Sequence, residues 1–483
     1  MAEQIAEKPK RYYVNVALIL MFMLGFGFLP PFGPVTELGM KILGLFIGCI
    51  YAWTVGETVW PSVLALILLG MYGDGNVTAT LSSAYGNQTL LMVVFSMLFC
   101  FAVSESGLLT VVAKKMLSLK FAERSQWALA GTFFATASIA GALTINAVPV
   151  VILLWAVFYD VCEELGLKPY DKYVTIVMVG IVICAYAGSM IPTYAGLAII
   201  GFGIYSAVSG GATVPALQYI LTTLAINVVL VALLTFAFKL IGPKIDYCPG
   251  DCLHFTKEEL TFTTRHKFVL LAALALCALM LLPSLLGTDN FLGQMLTKLG
   301  TLGSLALVPM VLMVCTYKKR SFLDMSEGMS KGVPWNLYFL LATALTISGA
   351  IVGKGTGISE LLDMMMAPLL SGRSPIAIAA ILVALSCVIT NCINNVVTIT
   401  ILTPIAYSYM TAAGGEPLVI IALMTFICLQ GVVMPAGSVC GAMLHGNIEW
   451  LKPGMIYKYA TFGELVVIIT TIIVGIPMAM LLF

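Results

Sequence analysis

Charge is what this sequence has least of. Its 483 residues include 24 Lys and Arg, 23 Asp and Glu and 3 His, so only 10% of the chain is charged. A soluble domain carries roughly 25%. With 60% hydrophobic residues, the chain reads as an integral membrane protein with little mass outside the bilayer. A net charge of +1 and the lack of any basic block exclude a nucleic-acid partner. The three histidines, His254, His266 and His445, fall in loops or at helix ends. No nucleophile–base pair shares a site, which argues against an enzyme. Most cysteines stand alone in apolar segments (Cys49, Cys100, Cys184, Cys277, Cys387, Cys440), as small apolar filler does. Cys248, Cys252 and His254 match no zinc spacing. The first apolar run lacks a small-residue cleavage pattern and reads as a membrane helix, not a signal peptide. No Asp, Glu, Lys or Arg is expected near the bilayer midplane. That absence speaks against a Na+/H+ exchanger and against an anion pump with fixed arginines.

Apolar runs fall at about 13–30, 38–54, 58–74, 88–113, 126–159, 174–205, 215–241, 267–285, 296–317, 334–353, 375–411, 416–445 and 456–483. A simple span needs about 20 residues. Runs 126–159 and 375–411 are longer and have a polar tip near the middle. Arms of ~16 residues measure ~24 Å, short for a crossing, so both runs read as re-entrant hairpins. Eleven spans remain. With a cytoplasmic N-terminus, only Lys41, Lys298, Lys354 and Arg373 of the 24 basic residues fall outside or near the outer face, as the positive-inside rule requires. The C-terminus then lies outside. The halves are 1–241 and 267–483, joined by a cytoplasmic connector at 242–266. An odd number of spans separates the hairpins, so the two copies are inverted and their tips meet near the midplane.

What the chain does have is a repeat. Asn87 and Asn336, Asn146 and Asn395, and the tripeptides Ala187-Gly188-Ser189 and Ala436-Gly437-Ser438 are each 249 positions apart. Polar groups in hydrocarbon are costly unless they have work to do, and paired polar elements in two halves mark secondary transporters. The first tip runs from Gly141 through Thr144, Ile145 and Asn146 to Ala147. The second runs from Thr390 through Ile393, Asn394 and Asn395 to Val396. Each tip starts a half-helix whose free N–H groups and dipole suit an anion. Asn supplies a carbonyl for a cation or an amide for a carboxylate; it can also simply cap its helix. Gly and Pro near the tripeptides (Gly188-Ser189 before Pro192; Pro435 before Gly437) break the helices and free carbonyls for ions, or make plain kinks packed on small residues.

On these residues the chain resembles the divalent-anion/sodium symporter family, the INDY and SLC13-type carboxylate and sulfate transporters of the ion transporter superfamily. The resemblance covers most of the chain. The second tip keeps the family's Ser-Asn-Thr frame as Asn394-Asn395-Val396 with Pro404 behind it. The first keeps Asn146, with Trp155 where the proline would stand. The resemblance implies an all-α membrane protein: eleven transmembrane helices plus two re-entrant hairpins in an inverted repeat, working as an elevator. It implies a homodimer in the cell membrane, with a scaffold at 13–113 and 267–353 and a transport part at 126–241 and 375–483. It places substrate at Thr144, Asn146, Ala147, Asn394, Asn395, Val396 and Pro435. It places Na+ as coupling ion at Gly141, Asn146, Gly188, Ser189, Thr390, Ile393, Asn395 and Gly437. No other cofactor is expected. The hydroxyls of the family's tips are replaced here by Ile145, Ala147, Asn394 and Val396, which suits a less charged, bulkier or partly apolar organic anion. The expected activity is therefore secondary transport of organic anions, di- or tricarboxylate-like, coupled to Na+. A Na+-independent anion exchanger, a Na+/H+ antiporter and a channel or receptor are the other readings.

Overall fold

The computed structural model describes residues 10–73, 76–144, 146–245, 256, 258–286, 290–353, 355–393, 395–435 and 437–483. Ile145, Asn394, Ala436 and Lys354, and the connector's Cys248, Cys252 and His254, lie outside them.

The described chain is helical apart from one short β-ribbon. In order the helices are α1 (Lys10–Leu20), α2 (Glu37–Thr54), α3 (Val59–Tyr72), α4 (Val77–Tyr85), α5 (Gln88–Glu105), α6 (Leu108–Leu117), α7 (Gln126–Thr144), α8 (Ala147–Glu164), α9 (Lys172–Ser189), α10 (Gly196–Val208), α11 (Ala216–Ile241), α12 (Thr264–Leu286), α13 (Phe291–Val314), α14 (Met325–Glu327), α15 (Trp335–Val352), α16 (Ile358–Leu370), α17 (Pro375–Cys392), α18 (Asn395–Ala412), α19 (Pro417–Cys428), α20 (Val439–Gly446), α21 (Pro453–Thr470) and α22 (Ile476–Leu482). Strands β1 (Thr316–Tyr317) and β2 (Arg320–Ser321) pair antiparallel. Lys318 and Lys319 turn between them at positive φ.

The protein is a multi-pass membrane protein. Among the described residues ten helices are long and apolar enough to cross a bilayer, or eleven if the bent pair Met325–Gly332 and Trp335–Ile351 counts as one span. The distribution differs from the one expected. The first arms of both hairpins, α7 and α17, are among the ten. α8 extends five residues past its apolar run, and the arms have 18 or 19 residues each and measure about 27 Å, near the hydrocarbon thickness. Length therefore no longer argues for re-entry. The run 58–74 forms a helix of only 14 residues, and α13 breaks at Gly300, where φ is 62°.

Two compact units emerge. The first holds Met1–Leu90, Ser206–Gly211 and Pro334–Gly372. In it Thr36 caps α2 through the Gly39 amide and donates to Gly355 O at 2.7 Å. Thr343 on α15 donates to Ser62 O on α3 at 2.9 Å. The second unit holds Leu91–Tyr205, Ala212–Val333 and Arg373–Phe483. Its core is built on α9 and α19: every residue from Tyr173 to Ser189 and from Leu418 to Cys428 is buried. Both helices are apolar all round, as fully enclosed helices are.

The repeat is visible in local geometry. α6 and α16 both start at a left-handed glycine, Gly107 (φ 76°) and Gly357 (φ 69°). In each case the preceding hydroxyl, Ser106 or Thr356, accepts from the amide two residues on, at 3.1 and 3.3 Å. Only glycine adopts this conformation without strain. Asn87 lies at the start of α5, where it accepts from Thr89 N; Asn336 is the second residue of α15.

Candidate substrate and ion site

Both tips lie in the second unit. At the first, α7 ends at Thr144, which is buried and donates to Ala140 O at 2.8 Å and to Asn146 O at 3.1 Å. Asn146 is exposed, stands in extended conformation and caps α8 by accepting from Val148 N at 3.1 Å. Ala147 begins α8 and is buried. At the second tip α17 ends at Cys392 and Ile393 is extended. Asn395 and Val396 open α18. No hydrogen bond engages the Asn395 side chain among the described residues. The two Asn residues thus both stand at a helix start, Asn146 as the N-cap of α8 and Asn395 as the first residue of α18. Trp155 leaves α8 unbroken and donates to Met178 O, whereas α18 carries Pro404.

The two breaks behind the tips differ in kind. The first spans the six residues 190–195 between α9 and α10. Gly188 and Ser189 form the last turn of α9, and Ser189 donates to Tyr186 O. A methyl group on Gly188 would overlap Ser138 O, and one on Gly141 would overlap Ala185 O. These glycines let the α7 and α9 backbones touch. Asn227 of α11 seals the junction: its Oδ1 accepts from Ser138 at 2.9 Å, and its amide donates to Ala187 O and Thr223 O at 3.0 Å each. The carbonyls expected to be free for an ion are engaged here.

The second break runs ten residues, 429–438, between α19 and α20. Gly437 lies inside it, and Ser438 caps α20 through the Gly441 amide and donates to Gly431 O at 2.6 Å. The described parts of the tripeptides are therefore not equivalent: Gly188 and Ser189 end a helix, whereas Gly437 and Ser438 precede one. A methyl group on Gly431 would lie 2.9 Å from Thr390 O and 3.0 Å from Gly437 O. One on Gly437 would lie 3.0 Å from both Gly431 O and Thr390 O. Gly431 and Gly437 thus let the backbones of the tip and the break pack closely, bringing the carbonyls of Thr390, Gly431 and Gly437 together. Thr390 Oγ1 donates to Cys428 O. Asn391 donates to Cys387 O at 2.9 Å and accepts from Val433 N at 2.8 Å, tying the tip to the break. Pro435 is exposed within the break.

Three buried polar side chains escaped the sequence reading: Asn227, Gln430 and Glu464. Glu464 corrects it outright. It is the twelfth residue of α21, inside the 30-residue apolar stretch Pro453–Leu482, and is 3% exposed. A carboxyl therefore does lie within a span. Beside the first tip, Ala142, Leu143, Pro192, Leu224, Leu274 and Met280 help line a largely apolar cavity of about 530 Å³.

A helical membrane chain whose buried polar groups gather at two tips and two interrupted helices is a transporter scaffold. Over residues 7–428 the sequence matches CitMHS, the citrate transporter family, and the chain belongs to it. This lies within the ion transporter superfamily to which the tip residues pointed. The protein is a membrane transporter of the citrate transporter type and not an enzyme. No curated protein matches it in sequence. Its fold is similar to MtrF of Neisseria gonorrhoeae, described among a class of antimetabolite efflux pumps, with TM-score 0.60 and 15% identity over 97% of this chain and 95% of that one. It is also similar to the Alcanivorax borkumensis YdaH transporter, with TM-score 0.54 and 14% identity over 84% and 88%.

Proposed function

We propose that this protein moves organic anions, di- or tricarboxylates such as citrate, across the cell membrane, coupled to Na+. The observation that carries the reading is the pair of helix starts at Asn146 and Asn395, one of them beside the carbonyl cradle of Thr390, Gly431 and Gly437. Helix N-termini attract carboxylates, and backbone carbonyls suit a hard cation. Substrate would meet Thr144, Asn146, Ala147, Asn394, Asn395, Val396 and Pro435. Na+ would lie in the second break against Thr390 and Gly437, with Ile393 and Asn395 at its tip side. Gly141, Gly188 and Ser189 pack helices instead, so a first-break Na+ site would need those helices to part. The apolar cavity beside the first tip favours an anion with an apolar body. The elevator motion, the homodimer, the re-entrant hairpins and the cytoplasmic N-terminus belong to the same proposal, supported by family and charge distribution.

Thermal unfolding of the purified protein against citrate, succinate, benzoate and sulfate, each with and without Na+, tests it. A ligand of the folded state raises Tm with the logarithm of its concentration. A carboxylate shift that requires Na+ is expected. Absence of a shift with any carboxylate sinks the substrate assignment. For the topology, a cysteine at Lys319 should be labelled only from the cytoplasmic side; labelling from outside inverts the scheme.

A further inference from the structure

Asn227 and Glu464 occupy the same place in the two halves. Each is the twelfth residue of the long helix after the break, α11 from Ala216 and α21 from Pro453. Each accepts a hydrogen bond from the first arm of its hairpin. Ser138 donates to Asn227 Oδ1 at 2.9 Å, and Cys387, 249 positions later, donates to Glu464 Oε2 at 3.0 Å. The two positions differ in how they are satisfied. Asn227 is 2% exposed and uses both ends of its amide. Glu464 receives one thiol, a weak donor, and a contact from the Val432 amide. Its Oε1 is buried and has no hydrogen-bond partner.

Two further buried polar atoms without a partner lie close in sequence to its contacts. Ser386, the neighbour of Cys387, has a buried Oγ without a partner, and Gln430, two residues before Val432, has a buried Oε1 without one. The titratable groups on the elements packed against α21 are Tyr173, Cys184 and Tyr186 on α9, Tyr219 on α11, Cys387 on α17 and Cys440 on α20. Cys428 lies behind Cys387, and Lys172, Lys239 and His445 stand near helix ends. No fixed cation faces the carboxyl. An ionised carboxylate in such surroundings is uncompensated, whereas a protonated one is neutral and carries no charge into the dry interior.

We propose that Glu464 is a proton-binding site of the transport cycle: Oε1 carries a proton in this conformation and gives it up when the second break opens to water. Taking up the proton converts carboxylate to acid and adds one positive charge to the transport part. Asn391 links the site to the tip, through Cys387 O on one side and Val433 N on the other. Glu464 lies beyond residues 7–428, the part of the chain matched to the family. The inference rests on the transporter reading for its role in the cycle, but not for the protonation itself.

Infrared difference spectra of the protein in lipid, wild type against E464Q, test protonation without any substrate. One carboxylic-acid carbonyl band at neutral pH, absent in E464Q and shifted in E464D, is expected. A Glu464 that is ionised at neutral pH, or an acid band that Na+ removes at constant pH, overturns the proposal. In proteoliposomes with citrate as probe, E464Q should keep citrate exchange and lose accumulation driven by a pH gradient, with E464D keeping both. Undiminished proton-driven accumulation by E464Q also overturns it. A protein that moves no citrate counts against the carboxylate reading alone and leaves the infrared result decisive.

Discussion

The first break has its buried polar groups paired, and the second leaves several of its own over. Around Gly188 two backbones touch and Asn227 engages the carbonyls. Around Gly437 backbones also lie close, but buried polar atoms of Ser386, Gln430 and Glu464 have no hydrogen-bond partner. The same pair of residue types, glycine and a buried polar side chain, therefore does two jobs. Where every polar atom is paired, the result is rigidity. Where some are left over in a dry interior, the structure holds groups that a ligand or proton can satisfy.

The largest separation should come from paired glycine substitutions. Gly188→Ala forces a methyl into Ser138 O and should cost about 3 kcal/mol of stability, read as a drop in Tm and in yield. Gly437→Ala meets two carbonyl oxygens at 3.0 Å, a milder clash than the one at Gly188, and should lower Tm less while weakening Na+-dependent stabilisation. Equal losses of stability would erase the distinction. Next, Asn227→Ala removes the acceptor of the buried Ser138 hydroxyl and one of the two donors to Ala187 O and should cost about 2–3 kcal/mol. A neutral outcome in thermal unfolding would show that the seal is not structural. Smaller effects should divide the tips. Asn146→Ala removes a cap worth about 1 kcal/mol, while Asn395→Ala should change stability by less than about 0.5 kcal/mol. Both should abolish carboxylate binding, measured by the ligand-induced Tm shift. Retained binding in both variants would remove the asparagines from the site.

The sequence revealed the helical membrane class, the repeat and both tips, because an Asn in a long apolar run stands out and recurs at one offset. The same fixed offset hid the rest. From tip to final helix the second half is shorter: α19 has 12 residues against 18 in α9. Asn227 and Glu464 are consequently 237 positions apart, and a search at 249 cannot pair them. It pairs the two Ala-Gly-Ser tripeptides instead, which occupy different sides of their breaks. Single polar residues such as Gln430 give no periodic signal, and hydropathy averaging submerges one acid among nearly thirty neighbours. Arm length was underestimated where a helix continues into a polar flank that hydropathy excludes, as α8 does to Glu164.

The backbone contact between α7 and α9 also has a mechanical consequence. With no side chain between Gly188 and Ser138 O or between Gly141 and Ala185 O, there is no soft layer to shear. Main-chain atoms in contact interlock like gear teeth, and a partial slide raises one residue over the next. The first tip and the buried helix behind it therefore form one stiff lever. Any displacement of the end of α7 carries α9 with it, and relative movement falls to the joints at 165–171 and 190–195.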